Sequence, residues 1–260
     1  MPPKTAESFS PGGISSFFQI CDTNLDGKPI DDLSKVGARG GGFVIKKGVH
    51  THVEVSDAKK TTIRVFINGK IAPEAETSRA VANALLKMKD KNYQVLIKHK
   101  VEVPIGAGFG SSAGGALGTS LALSKALDLK LTYNQLGTIA HVAEIQCKTG
   151  LGTVGPIMLG GCILTVEPGG PGIGVIDRIP LSSNHVIVAG TFDPMPTKNV
   201  LLSSSEKRAK VNRCGRETLD AILEEPSIEN FMHLSPLWRS EPVTRGTVCG
   251  RPARTDLWGR

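Results

Sequence analysis

The sequence predicts a mixed α+β protein built in two layers. Three observations carry this reading. Before residue 104 the chain is rich in β-branched runs separated by turn residues, between 111 and 147 small and apolar residues follow helical spacing, and beyond 160 strand-like runs return. With 260 residues, 40% of them hydrophobic, the chain can bury a substantial core in one large domain or two small ones.

Taken in order, Gly42-Phe43-Val44-Ile45, His52-Val53-Glu54-Val55 and Thr61 to Ile67 read as three strands, with Asn68-Gly69 as a hairpin turn. Val81, Leu85 and Met88 recur at helical spacing between Ala75 and Met88, which predicts a helix. Alternation of Val95, Ile97, His99, Val101 and Val103 then predicts an edge-like strand over 93–103. A glycine-rich segment leads into an Ala/Leu/Ser-rich helix from about Ser111 to Leu127. A second helix runs from Thr132, a good N-cap, to about Cys147. Cys162 to Val166 and His185 to Ala189 read as strands on either side of the turn-forming Pro168 to Gly172, with a domain boundary near residue 180. Ser203, Ser204 and Ser205 offer caps for a last helix reaching about Leu223.

Composition bounds the function. No stretch approaches 18 consecutive apolar residues, and Met1 to Glu7 lacks a basic-then-apolar leader, so a soluble cytoplasmic protein without membrane contact is expected. Cys21, Cys147, Cys162, Cys214 and Cys249 are scattered with no C-x-x-C pair, which predicts buried free thiols rather than zinc ligands or a disulfide framework. The net charge is +7 and the pI near 9.2, but the tail 235–260 alone contributes +3 through Arg239, Arg245, Arg251, Arg254 and Arg260. That tail has no lysine and holds both tryptophans, whereas the rest uses nineteen lysines against seven arginines. Such a shift predicts a frame-shifted or fused end, or else a divergent tail. The remaining chain shows no basic stripe with interleaved aromatics, so nucleic acid is not expected as a partner.

The chemistry concentrates in Pro104-Ile105-Gly106-Ala107-Gly108-Phe109-Gly110-Ser111-Ser112-Ala113. A strand ending near Val103, glycines at 106, 108 and 110, and two serines opening a helix make an anion site. Glycine lets the backbone approach an anion closely, and the amides at a helix start point outward with the positive end of the helix dipole behind them. The bland alternative is a helix cap after a glycine turn. The segment ends in neither the Gly-Lys-Ser/Thr of a Walker A loop nor a complete Rossmann fingerprint.

This segment resembles the second motif of the GHMP superfamily of small-molecule kinases, Pro-x-x-x-Gly-Leu-Gly-Ser-Ser-Ala, with Phe109 in place of leucine. Ser10-Pro11-Gly12-Gly13-Ile14-Ser15-Ser16-Phe17-Phe18 resembles its first motif. Within the superfamily, Ser10 to Phe18, Gly37 to Phe43, Ala140-His141-Val142-Ala143-Glu144, Thr149-Gly150-Leu151-Gly152 and Pro196-Thr197-Lys198 are similar to segments of the archaeal pantoate kinases, over about Phe9 to Leu234. The resemblance implies an N-terminal domain over 1–180, of the kind seen in ribosomal protein S5 domain 2 and with a left-handed crossover. It further implies a partial ferredoxin-like domain over 181–234. Pattern alone favours the commoner right-handed crossover.

It also implies ATP- and Mg²⁺-dependent phosphorylation of a small hydroxy acid, pantoate at its primary hydroxyl, on the way to coenzyme A, by a homodimer. The alternatives are a superfamily kinase for shikimate, homoserine or mevalonate, or a nucleotide-binding protein without turnover. Pro104, Gly106, Gly108, Gly110, Ser111, Ser112 and Ala113 would bind ATP. Ser112 and Glu144 would hold Mg²⁺, a hard cation that takes oxygen ligands. Gly12, Arg39 and His141 are the substrate-binding candidates: a guanidinium in a glycine-rich loop suits a small carboxylate. The bland readings are a solvated Glu144, a surface Arg39 and a packing role for His141. Thr153 stands where many relatives carry a catalytic aspartate, and the third glycine-rich motif is absent.

Overall fold

The computed structural model describes residues 2–182, 185–189 and 204–235. It holds seven strands: β1 (Lys4–Cys21), β2 (Gly37–Asp57), β3 (Thr62–Ile67), β4 (Lys70–Ile71), β5 (Tyr93–Val101), β6 (Cys162–Glu167) and β7 (Val175–Ile179). The helices are α1 (Glu76–Leu86), α2 (Ser111–Ala126), α3 (Tyr133–Cys147), α4 (Val154–Leu159), α5 (Ser205–Glu224) and α6 (Ile228–Leu234). All strands join one sheet in the order β4-β3-β5-β2-β6-β7, with β1 along the other edge of β2.

The 21-residue β2 organises the molecule. β1 lies antiparallel along its whole length, so its opposite edge is divided between β5, paired at 49–57, and β6, paired at 40–43. The sequence reading breaks β2 into two runs, because Lys46, Lys47 and Gly48 look like turn residues. Instead Pro11 pairs with Gly48 and Gly12 with Ile45, so Lys46 and Lys47 form a bulge that bends the ribbon without ending it. β1 itself, with its Pro-Gly-Gly and four serines, gives no strand signal. β5 is paired on both sides, to β2 and in parallel to β3, and is therefore interior rather than edge-like.

The helices follow the sequence closely. α3 begins with a full capping box, the Thr132 hydroxyl accepting from the Gln135 amide while the Gln135 side chain accepts from the Thr132 amide. Asn68 and Gly69 make the β3–β4 turn at positive φ, as expected. α2 is buried on nearly all sides. Its Gly114 and Gly118 face the sheet so closely that a Cβ at 114 would lie 2.9 Å from Val49, and one at 118 would overlap the Thr51 hydroxyl. α1 and α2 cover one face of β1, β2, β3 and β5, with α3 packed on both helices, over a core including Val53, Val65, Leu85, Ile97, Leu117 and Leu123. α5 and α6 close a second cluster of Phe17, Phe43, Leu164, Leu219 and Phe231.

Three expectations change here. Residues 185–189 are not a strand, and Val186 and Val188 are 85% and 88% exposed; β-branched composition alone does not make a strand without a partner edge. Arg39 lies within β2 opposite Gln19, not in a glycine loop, because Gly37, Gly40, Gly41 and Gly42 serve close packing under Pro168, Phe17 and Ile14. Cys162 and Cys214 are buried, but Cys21 and Cys147 are only half-buried. Of the span 181–234, expected to form a second domain, the structure describes 181–182, 185–189 and 204–234, and Pro196 to Lys198 and the tail beyond Ser235 lie outside the described residues. Among the described residues no helix is long and apolar enough to cross a membrane.

Candidate active site

The glycine loop enters α2 through three left-handed residues, Gly106, Gly108 and Gly110, at φ of 73°, 79° and 65°. Gly110 is the N-cap of α2, and no side chain caps that helix. The first-turn amides of Ser111, Ser112 and Ala113 are therefore left to something other than a capping group, which suits an anion. The bulge of β2 opposite Pro11 and Gly12 brings the first motif here. The Gly13 amide donates to the Phe109 carbonyl at 3.1 Å, and a Cβ at Gly12 would meet Lys47, Val103 and Phe109 atoms at 3.0–3.2 Å. Thr153 precedes α4, and its methyl group lies 3.0 Å from where a Gly110 Cβ would be and 3.5 Å from that of Gly13. Position 153 thus touches both motifs at once.

Glu144 projects from α3 and is 2% exposed, which excludes a solvated helix glutamate. Its Oε1 accepts from the Thr149 hydroxyl at 3.5 Å, while Oε2 is buried without a hydrogen-bond partner. Burial pushes its pKa up to about 7, and the hydroxyls of Ser112 and Thr149 temper the rise. Both hydroxyls thus favour the charged carboxylate as hydrogen-bond donors. Among the described residues no cationic side chain acts on Glu144. Gly150 is needed beside it, since a Cβ there would fall 2.5 Å from Oε2. A buried carboxylate oxygen lacking a donor, next to a serine hydroxyl at a helix start, is a donor set that fits a hard divalent cation.

Gly12, Gly106, Gly108, Gly110, Ser111, Ser112, Glu144 and Thr153 are thereby drawn together, with Pro104 and Ala113 at the two ends of the loop. Arg39 and His141 have other partners. Arg39 Nε donates to the Val166 carbonyl at 2.7 Å, Nη1 to Gln19 Oε1 at 3.3 Å, and Nη2 lies 3.8 Å from Asp220 of α5. His141 is buried, and its Nε2 lies 2.8 Å from the Val36 carbonyl; burial lowers its pKa, so the ring is neutral with its proton on Nε2. Sequence reasoning missed Thr77, whose hydroxyl lies 3.0 Å from that of Thr149 and 3.4 Å from that of Ser112. No motif signals it, because α1 brings it in from 35 residues upstream of Ser112.

Residues 77–161 match the GHMP kinases N terminal domain. A pantoate kinase of Thermococcus kodakarensis is 34% identical over 88% of this chain and 73% of its own length, and one of Methanospirillum hungatei is 32% identical over 97% and 84%. Among solved structures, a phosphotransferase related to the coenzyme A biosynthesis pathway superposes with a TM-score of 0.73 at 31% identity, covering 88% of this chain and 73% of that one. A homoserine kinase from Cytophaga hutchinsonii shares the fold at a TM-score of 0.56 and 18% identity. Motifs, site geometry and relatives agree, and the chain belongs to the GHMP kinase family, grouping within it with the pantoate kinases.

Proposed function

We propose that this chain transfers the terminal phosphoryl group of ATP to the primary hydroxyl of pantoate, giving 4-phosphopantoate for coenzyme A synthesis. The observation that carries the reading is the buried, unpartnered Glu144 carboxylate oxygen beside Ser112, at the uncapped start of a helix that follows a left-handed glycine loop. The pantoate kinases it resembles supply the substrate.

In this reading the amides of residues 106–113 cradle the phosphates of ATP, and the glycines keep that cradle free of Cβ atoms. Glu144 and Ser112 would hold Mg²⁺, which supplies neutralisation of the charge that develops on the transferred group. Burial makes the Glu144 carboxylate costly to ionise, and a bound cation would supply the positive neighbour that favours its charged form. Thr153 cannot accept a proton at neutral pH, so the substrate hydroxyl loses its proton late, to solvent or to the phosphoryl group, and positioning dominates. Arg39 and His141 support the surrounding backbone, Arg39 tying β1, β6 and α5 together. A homodimer in an archaeal cytoplasm is carried by the same resemblance.

The position of Thr153 favours one second reading, nucleotide binding without turnover. A phosphoryl-transfer assay with ATP and a panel of pantoate, mevalonate, homoserine and shikimate separates them. Pantoate should exceed the others in kcat/KM by about 100-fold, a discrimination expected of a site built for one polar substrate. Equal turnover of all four, or none, overturns the proposal.

A further inference from the structure

Two hydroxyls that have no part in the mechanism above join the two oxygen ligands assigned to the cation. Thr77 is buried near the start of α1, and Thr149 follows the end of α3. Ser112 Oγ donates to Thr77 Oγ1 at 3.4 Å, Thr77 Oγ1 and Thr149 Oγ1 are 3.0 Å apart, and Thr149 Oγ1 donates to Glu144 Oε1 at 3.5 Å. Each hydroxyl has one proton to give. Thr149 gives its proton to Glu144 and Thr77 receives that of Ser112, so in the middle bond Thr77 is the donor. All three protons then run in one direction, from Ser112 toward Glu144 Oε1. Glu144 Oε2 stays clear of hydrogen bonds among the described residues, and within this set Ser112 only donates, which leaves its lone pairs unused.

That direction matters because a hydroxyl that ligates a cation through a lone pair must send its proton elsewhere. The carboxylate of Glu144 is close enough to attract the Ser112 proton, but a cation held by the same carboxylate competes for it. Thr77 Oγ1 is the acceptor that remains. Nor is Thr77 needed to cap its own helix: Ala75 occupies the N-cap of α1, and no side chain caps it there.

We propose that Thr77 is a positioning residue of the cation site, taking the proton of Ser112 so that its oxygen faces the metal, and orienting the Glu144 carboxylate through Thr149. The proposal rests on the assignment of Ser112 and Glu144 as Mg²⁺ ligands. Partners that orient metal ligands through hydrogen bonds are worth roughly 10- to 100-fold in metal affinity when removed.

The test is binding of Mn²⁺, read from the loss of its free electron paramagnetic resonance signal, to the full chain saturated with a non-hydrolysable ATP analogue. Thr77→Val should weaken Mn²⁺ by about tenfold, Thr77→Ser should restore it to within about twofold, and affinity for the analogue in EDTA should stay unchanged. Thr149→Val and Thr149→Ser should repeat the pattern, and they answer the question if Thr77→Val fails to fold. Wild-type Mn²⁺ affinity in both valine variants overturns the relay, as does a serine variant as weak as its valine counterpart, which would mean that the methyl group is what counts. If Ser112→Ala and Glu144→Gln also bind Mn²⁺ normally, the assignment of the cation ligands falls and the relay falls with it.

Discussion

At the scale of single residues the site depends on one carboxylate held where it is costly to ionise. Replacing Glu144 with Gln should cut turnover by roughly 10²-fold or more and blunt the dependence on Mg²⁺, the scale of losing one positioned electrostatic group. Thr153→Val should be far milder, since the Thr153 side chain meets Gly13 and Gly110 through its methyl group. Steady-state rates across a Mg²⁺ titration distinguish the two variants, and a silent Glu144→Gln with an inactive Thr153→Val would reverse the assigned roles. Arg39→Met should raise the KM values for ATP and for the acid alike and lower the melting temperature, because its donors hold Val166 and Gln19. A rise confined to the acid would instead give Arg39 to the substrate. Residue identity alone made both candidates visible in the sequence. Only the fold shows that one oxygen of the Glu144 carboxylate, Oε2, is buried without a partner among the described residues while Arg39 has three.

At the scale of elements the phosphate loop separates two kinds of glycine. A side chain at Gly108 meets nothing within 4 Å and suffers only from its positive φ, whereas one at Gly110 would also press on Thr153 and the Gly13 backbone at 3.0–3.4 Å. Gly108→Ala should therefore cost roughly 1 kcal/mol of stability, the usual price of a left-handed alanine. Gly110→Val should cost more and also weaken ATP, measured by denaturant melts and nucleotide titration. The helices were legible because their signals are local: Thr132 caps α3 and Ser204 caps α5 through their own first turns. β1 was illegible because its Pro11-Gly12-Gly13 run pairs only by virtue of the bulge, and β7 because its exposed Val175 and Asp177 show no apolar alternation. Residues 185–189 misled for the opposite reason, having a strand's composition without a strand's neighbour. The glycine loop at 104–113 was readable from its motif and Glu144 was named from the family resemblance, while Thr77 was not visible, since it meets Ser112 and Thr149 only after α1 folds against α2.

At the scale of the whole molecule two buried ionisable groups pull stability in opposite directions with pH. Glu144 is raised from 4.5 to about 7, so its contribution is full below about pH 4.5 and is lost as pH rises through 7. His99, between the Thr51 and Ser78 hydroxyls at 2.9 and 3.0 Å, is lowered by burial from 6.5 to about 4, so its contribution is full above about 6.5 and is lost as pH falls toward 4. Across pH 4.5–6.5 the two slopes oppose each other, each worth on the order of 2 kcal/mol. Urea melts of the metal-free protein in EDTA should fall only gently toward acid there, because His141, whose pKa burial also lowers, adds to the His99 slope. Glu144→Gln should uncover a loss toward acid and His99→Gln a loss toward neutrality; a slope unchanged by either variant would remove these groups from the balance.

The division of one edge of β2 between β5 and β6 bears on how the chain reaches this state. Phe43 pairs with Cys162 and Gly40 with Thr165, contacts that close loops of more than a hundred residues. A ribosome releasing the chain from its N-terminus has exposed β1, β2 and the glycine loop long before β6 emerges. Until then that edge of β2 at 40–43 offers open amides and carbonyls to any passing strand. Completion of the sheet follows synthesis of the segment holding Thr149 and Thr153, so the nucleotide site and the last strand pairings should appear in the same slow step, and ATP present during refolding should favour the finished fold over its aggregates.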